Sequence, residues 1–92
     1  MALIAVLYTY NDLPDVRAEH LDAHRAFLAG RPDLVLSGPT SDGSGLLLFE
    51  GVIATVETAV NGDPFLAAGL IKERRVFEWT PVLGSWKDQL GL

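Results

Sequence analysis

The two histidines of the chain, His20 and His24, lie four residues apart, a spacing that sets them side by side on one helix face. An imidazole titrates near pH ~6.5, which suits it to general acid–base chemistry. Such a base needs a carboxylate to hold its tautomer and stabilise the imidazolium. Asp12, Asp15, Asp22 and Asp63 are the candidates. Asp22 points elsewhere on the helix of His20, and Asp12 and Asp15 sit at that helix's start. Asp63 precedes Pro64 at the opening of another helical turn, where a plain N-cap is the simplest role. His20 falls near the middle of its helix's inward stripe, about one turn after Val16. There it is either a packed side chain with one hydrogen bond or the acid–base group.

Other residues offer less. A histidine pair at this spacing can bind zinc, but a site needs a third ligand, and neither cysteine nor an HExxH pattern is present. Neither a metal nor a cofactor is expected. Ser37 lacks the G-x-S-x-G elbow of a serine nucleophile. Gly38 either lets backbone turn closely past a ligand or simply forms a turn, and Pro39 fixes the chain direction. Arg17, one turn before His20, is suited to a substrate carboxylate or phenolate, and equally to a surface ion pair. Tyr8, Tyr10, Phe65 and Trp79 read as core or interface aromatics, with one or two lining a pocket.

These residues must be positioned by short elements. Leu3–Tyr10 is nearly all apolar and reads as a buried strand closed at Asn11-Asp12. Asp12 is the expected N-cap of a helix with Pro14 in its first turn, running from Val16 to about Ala29 and stopped by Gly30. Its apolar stripe is Val16, Leu21, Ala23, Phe27 and Leu28. Leu34–Leu36 is a short strand ending at Ser37-Gly38-Pro39, and residues 40–45 have the composition of a hairpin turn. Leu46–Ile53 returns as a strand, with Gly51 a candidate bulge. Thr55 is placed to cap a second helix, Asp63 opens a short turn through Ala68, and Leu70–Thr80 is the last strand. Pro81–Leu92 is a tail carrying Trp86. The order β-α-β-β-α-β is the ferredoxin-like α+β arrangement, in which one sheet face is left for a partner to cover.

Composition narrows the function. The 92 residues are read as one domain, 1–92. Twelve acidic against seven basic residues give a net charge of −5, which argues against nucleic acid. No apolar run approaches the roughly 20 residues of a membrane span. The start Met1-Ala2-Leu3-Ile4 has no signal-peptide pattern, so the cytoplasm is the expected location. A 49% apolar fraction in so short a chain points to a buried interface and a homodimer.

Taken together, Arg17-x-x-His20-Leu21, Ser37-Gly38-Pro39 and Asp63-Pro64-Phe65 with Ala68-Gly69-Leu70 resemble the YCII-related (YciI-like) domain family, in order and approximate spacing over almost the whole chain. The resemblance implies a ferredoxin-like fold of the dimeric α/β-barrel type. It implies too a His–Asp pair acting as acid and base, which maps onto His20 and Asp63, with Gly38-Pro39 lining the same site. A branch of the family is similar to dehydrochlorinases of chlorinated hydroxyquinols; the wider superfamily holds muconolactone isomerases and small monooxygenases. His24 stands where the pattern has an aliphatic residue, which puts it in the pocket or in a subunit contact.

The expectation is therefore lyase- or isomerase-type proton transfer on a small cyclic or aromatic metabolite. His20 and Asp63 are its catalytic pair, and Arg17, Ser37, Gly38, Pro39 and Phe65 bind the substrate. The alternative is a homodimer that binds a small ligand in the same pocket without turnover.

Overall fold

The computed structural model describes residues 3–89 and 91. In order these form β1 (Leu3–Tyr10), α1 (Pro14–Ala29), β2 (Leu34–Pro39), β3 (Gly45–Glu50), α2 (Ile53–Val60), α3 (Pro64–Ala67), β4 (Ile71–Trp79) and α4 (Trp86–Gln89). The strands make one antiparallel sheet in the order β2-β3-β1-β4. This is the ferredoxin-like α+β fold, as the element order predicts, with α3 and α4 as short additions. No helix among the described residues is long and apolar enough to cross a membrane.

The central position of β1 explains its composition. Ile4, Val6 and Tyr8 alternate onto the helix-covered face, where Leu47 and Phe49 of β3, Leu28 of α1, and Val56 and Val60 of α2 complete the core. Leu3, Ala5 and Leu7 point to the opposite face, opposite Trp79, Phe77 and Arg75 of β4. On that second face Leu36, Leu46, Phe77 and Trp79 stay substantially exposed.

Proline placement, rather than side-chain capping, sets where α1 begins. The residue before a proline is driven out of the helical region, so Leu13 (φ −133°, ψ 67°) takes the N-cap position and Pro14 the first turn. Asp12, the expected cap, makes no capping bond. Thr55 is likewise not the cap of α2: Val52 is extended there, and the Thr55 N–H already bonds to the Val52 carbonyl at 3.1 Å inside the first turn. Gly51 is a bend at φ +122° beyond the end of β3. The register shifts fall instead between Thr9 and Tyr10 and between Leu34 and Leu36. Residues 40–44 form the expected hairpin turn, with Thr40 N–H on the Ser44 carbonyl at 2.9 Å.

Beyond the first irregularity, β1 is tied to the exit of α3. The Asn11 N–H donates to the Leu70 carbonyl at 2.8 Å, and its side-chain amide donates to the Gly69 carbonyl at 3.0 Å. These bonds fix α3 beside the end of β1 and against α1. The expected tail, Pro81–Leu92, carries α4; its Leu90 and Leu92 lie outside the described residues, as do Met1 and Ala2.

Candidate functional site

Asp63 is the one charged residue in the buried set of the described chain. It caps α3, its Oδ1 accepting the Phe65 N–H at 3.0 Å, as expected for a residue before Pro64. The cap is only part of its bonding. The Tyr8 hydroxyl donates to Oδ2 at 3.1 Å, and His24 Nδ1 lies 2.8 Å from Oδ1 and 2.9 Å from Oδ2. Every partner is a donor to an acceptor-only carboxylate, so the neutral imidazole carries its proton on Nδ1 and its lone pair on Nε2.

The histidine of this pair is therefore His24, and the expected His20–Asp63 pairing is corrected. His20 is half-buried, and among the described residues it makes no hydrogen bond or ion pair. Helix geometry supplies the reason. With His24 as origin and about 100° per residue, Arg17, Leu21, Leu28, Arg25 and Ala29 fall between about 20° and 140° around α1. All of them line a cavity of about 420 Å³ between α1 and the β2–β3 edge. His20, Phe27 and Val16 fall at about −40°, −60° and −80° on the other flank. Phe27 marks where that flank leads: a Cβ on Gly62 would meet its ring at 3.3 Å. His24 sits at the boundary of the two arcs, so its ring reaches Asp63 on one side and the cavity on the other. The four-residue step back to His20 costs about 40° of rotation and about 6 Å of rise.

An aromatic frame holds the imidazole. Phe65 stacks on it with ring centroids 3.8 Å apart and planes 4° from parallel. Tyr10 meets Phe65 edge-on at 6.0 Å and 87°, and the Arg17 guanidinium lies over the Tyr10 ring at 4.6 Å. Gly45 completes the frame: a Cβ there would collide with the Tyr10 hydroxyl. Burial, then the nearby Asp63 charge, push the Tyr8 hydroxyl far above its ordinary titration range. Burial also raises Tyr10, against the opposing charge of Arg17.

Of the expected substrate-binding residues, Arg17, Ser37, Gly38, Pro39 and Phe65 all line the cavity, as do His24 and Tyr10. Sequence reasoning did not assign Tyr8 a site role or place Arg25 in the wall. Arg25 is expected largely outside the apolar stripe of α1, but it lies four residues after Leu21 and three before Leu28 and so shares their side of the helix. Among the described residues there is no cluster of three or more acidic or histidine side chains able to hold a metal ion.

The sequence pattern of the YCII-related domain matches residues 1–80. No curated protein matches the chain significantly. A solved structure that is similar is the 5-chloro-2-hydroxyhydroquinone dehydrochlorinase of Burkholderia phenoliruptrix AC1100 in complex with 2,5-dihydroxybenzoquinone. Its TM-score is 0.76 at 25% sequence identity, over 87% of this chain and 95% of that one.

Proposed function

The chain belongs to the YCII-related domain family, and from that premise we propose that it is a small-molecule enzyme of lyase or isomerase type, with His24 as its base and Asp63 as the group that orients it. One observation carries the proposal. His24 Nδ1 is 2.8 Å from a fully buried Asp63 carboxylate, while the same ring lines the cavity. Nε2 is then a proton acceptor aimed at whatever the cavity holds.

In the proposed step Nε2 takes a proton from a ring carbon or hydroxyl of a cyclic or aromatic substrate. The electron pair left behind forms a new double bond as a leaving group departs with its own pair. In an isomerisation the proton is instead returned to another carbon. Asp63 stabilises the imidazolium that forms between, and the Tyr8 O–H and Phe65 N–H fix the carboxylate. Arg17 draws an anionic oxygen of the substrate to the Tyr10 end of the wall. Ser37, Gly38 and Pro39 shape the opposite wall, and Phe65 keeps the imidazole in plane. The similar dehydrochlorinase makes chlorinated hydroxyhydroquinones the first substrates to try.

The test is chloride release from 5-chloro-2-hydroxyhydroquinone, together with proton exchange on a panel of cyclic enols and lactones. His24→Gln should remove the activity found and His20→Gln should retain it. Full activity of His24→Gln at unchanged stability would sink the proposal. We propose further that two copies pack through the helix-free sheet face, because Leu36, Leu46, Phe77 and Trp79 are otherwise left in water.

A further inference from the structure

The chain carries a net charge of −5, yet the cavity wall holds two arginines and no carboxylate. Arg17 and Arg25 make no ion pair among the described residues, where the salt bridges are His24–Asp63 and Arg31–Asp33. Asp63 does not neutralise them, because it lies behind the His24 ring with its oxygens occupied by His24, Tyr8 and Phe65. Two arginines thus line one cavity, Arg17 half-buried and Arg25 exposed, with no acid paired to either among the described residues.

Their placement separates them. Arg17 and Arg25 are eight residues apart on α1, about 12 Å along the helix axis, with Leu21 and His24 between them on the wall. Arg17 is held over Tyr10, at the end where β1 meets α3. Arg25 stands one turn before Ala29 on α1, and both line the cavity along with Leu34 and Ser37 of β2. A ligand with an anionic group at each end satisfies both arginines without drawing the Arg17 guanidinium off the Tyr10 ring. We infer that the site takes a planar ring bearing two anionic groups on opposite edges, one on Arg17 and the other on Arg25, with the ring laid across His24 Nε2. Arg25 is then a specificity residue that selects dianions over monoanions. This rests on the cavity being the ligand site, as in the reading above, but not on turnover.

The probes are terephthalate and naphthalene-2,6-dicarboxylate against benzoate and 2-naphthoate, followed by calorimetry at two salt concentrations. At least one dicarboxylate should bind tighter than its monoacid by about tenfold or more, the scale of one added charge-assisted contact. Arg25→Gln should erase that difference, and in the parent protein raised salt should shrink it. Should no dicarboxylate bind tighter than its monoacid, or should Arg25→Gln keep the full preference, the inference is overturned. A protein that shows the preference but turns nothing over keeps this inference and loses the catalytic one.

Discussion

Replacing Asp63 with asparagine should move a proton across the imidazole of His24. The carboxylate accepts from His24 Nδ1, the Tyr8 hydroxyl and the Phe65 N–H. An amide keeps one oxygen and presents an NH2 group in place of the other. That oxygen stays on the Phe65 N–H, which can only donate, and the NH2 takes the Oδ2 position 2.9 Å from His24 Nδ1, where a second N–H would repel it. The Tyr8 hydroxyl can rotate to accept from the new NH2. His24 can accept only by presenting a lone pair at Nδ1, which transfers its proton to Nε2. Each of the three contacts falls from a charge-assisted bond of ~1.5–3 kcal/mol to a neutral one of ~0.5–1.5 kcal/mol. Lower cost of burying a neutral amide offsets part of that loss. The net destabilisation is about 2 kcal/mol, or about 8–16 °C in Tm for a chain of this size. Urea unfolding reads the first quantity, and the 15N shifts of the His24 ring at neutral pH read the tautomer. An Asp63→Asn protein with unchanged Tm, or with the proton still on Nδ1, would refute the reasoning. The altered tautomer also predicts loss of base function in a protein that remains folded.

Two further outcomes follow from the same neighbourhood. The folded-state pKa of Tyr8 is raised by burial and by Asp63, so its contribution is intact below the unfolded value of about 10 and is lost as pH climbs above it. Stability should fall by ~1.4 kcal/mol per pH unit for this group above pH ~10. Tyr8→Phe should flatten the slope by that amount in urea titrations across the range, and an unaltered slope would count against the buried Tyr8–Asp63 bond. Gly45→Ala places a methyl group against the Tyr10 hydroxyl, which must rotate away from Phe65 and Arg17. A cost of about 1–3 kcal/mol is expected, with weakened ligand binding in a thermal-shift assay. An alanine variant as stable as the parent would show that Tyr10 is not held there.

Much of the fold was legible in the sequence because it rests on local patterns. The apolar run at Leu3–Tyr10, the prolines at 14 and 64 and the glycine-rich turn at 40–45 each act within a few residues. Asp63 as cap of α3 was legible for the same reason. The misreadings were local too: Asp12 and Thr55 have the chemistry of caps, but the prolyl constraint on Leu13 and the extended Val52 placed the caps elsewhere. Side-chain propensity yielded to backbone sterics.

What the sequence determined by itself was the inventory: two histidines at helical spacing, one aspartate before a proline, and a ferredoxin-like frame to bring them near. It could not choose between His20 and His24, because a helix offers both on nearly the same face and the choice turns on about 40° of rotation. That rotation has meaning only once α1 is docked against α3 and the sheet, and the docking is set by contacts more than thirty residues apart, such as Phe27 on Gly62 and Asn11 on Gly69. The buried Tyr8 hydroxyl joins Asp63 across a separation of 55 residues. The identity of the paired histidine, and with it the location of the candidate base, was decided by tertiary packing alone.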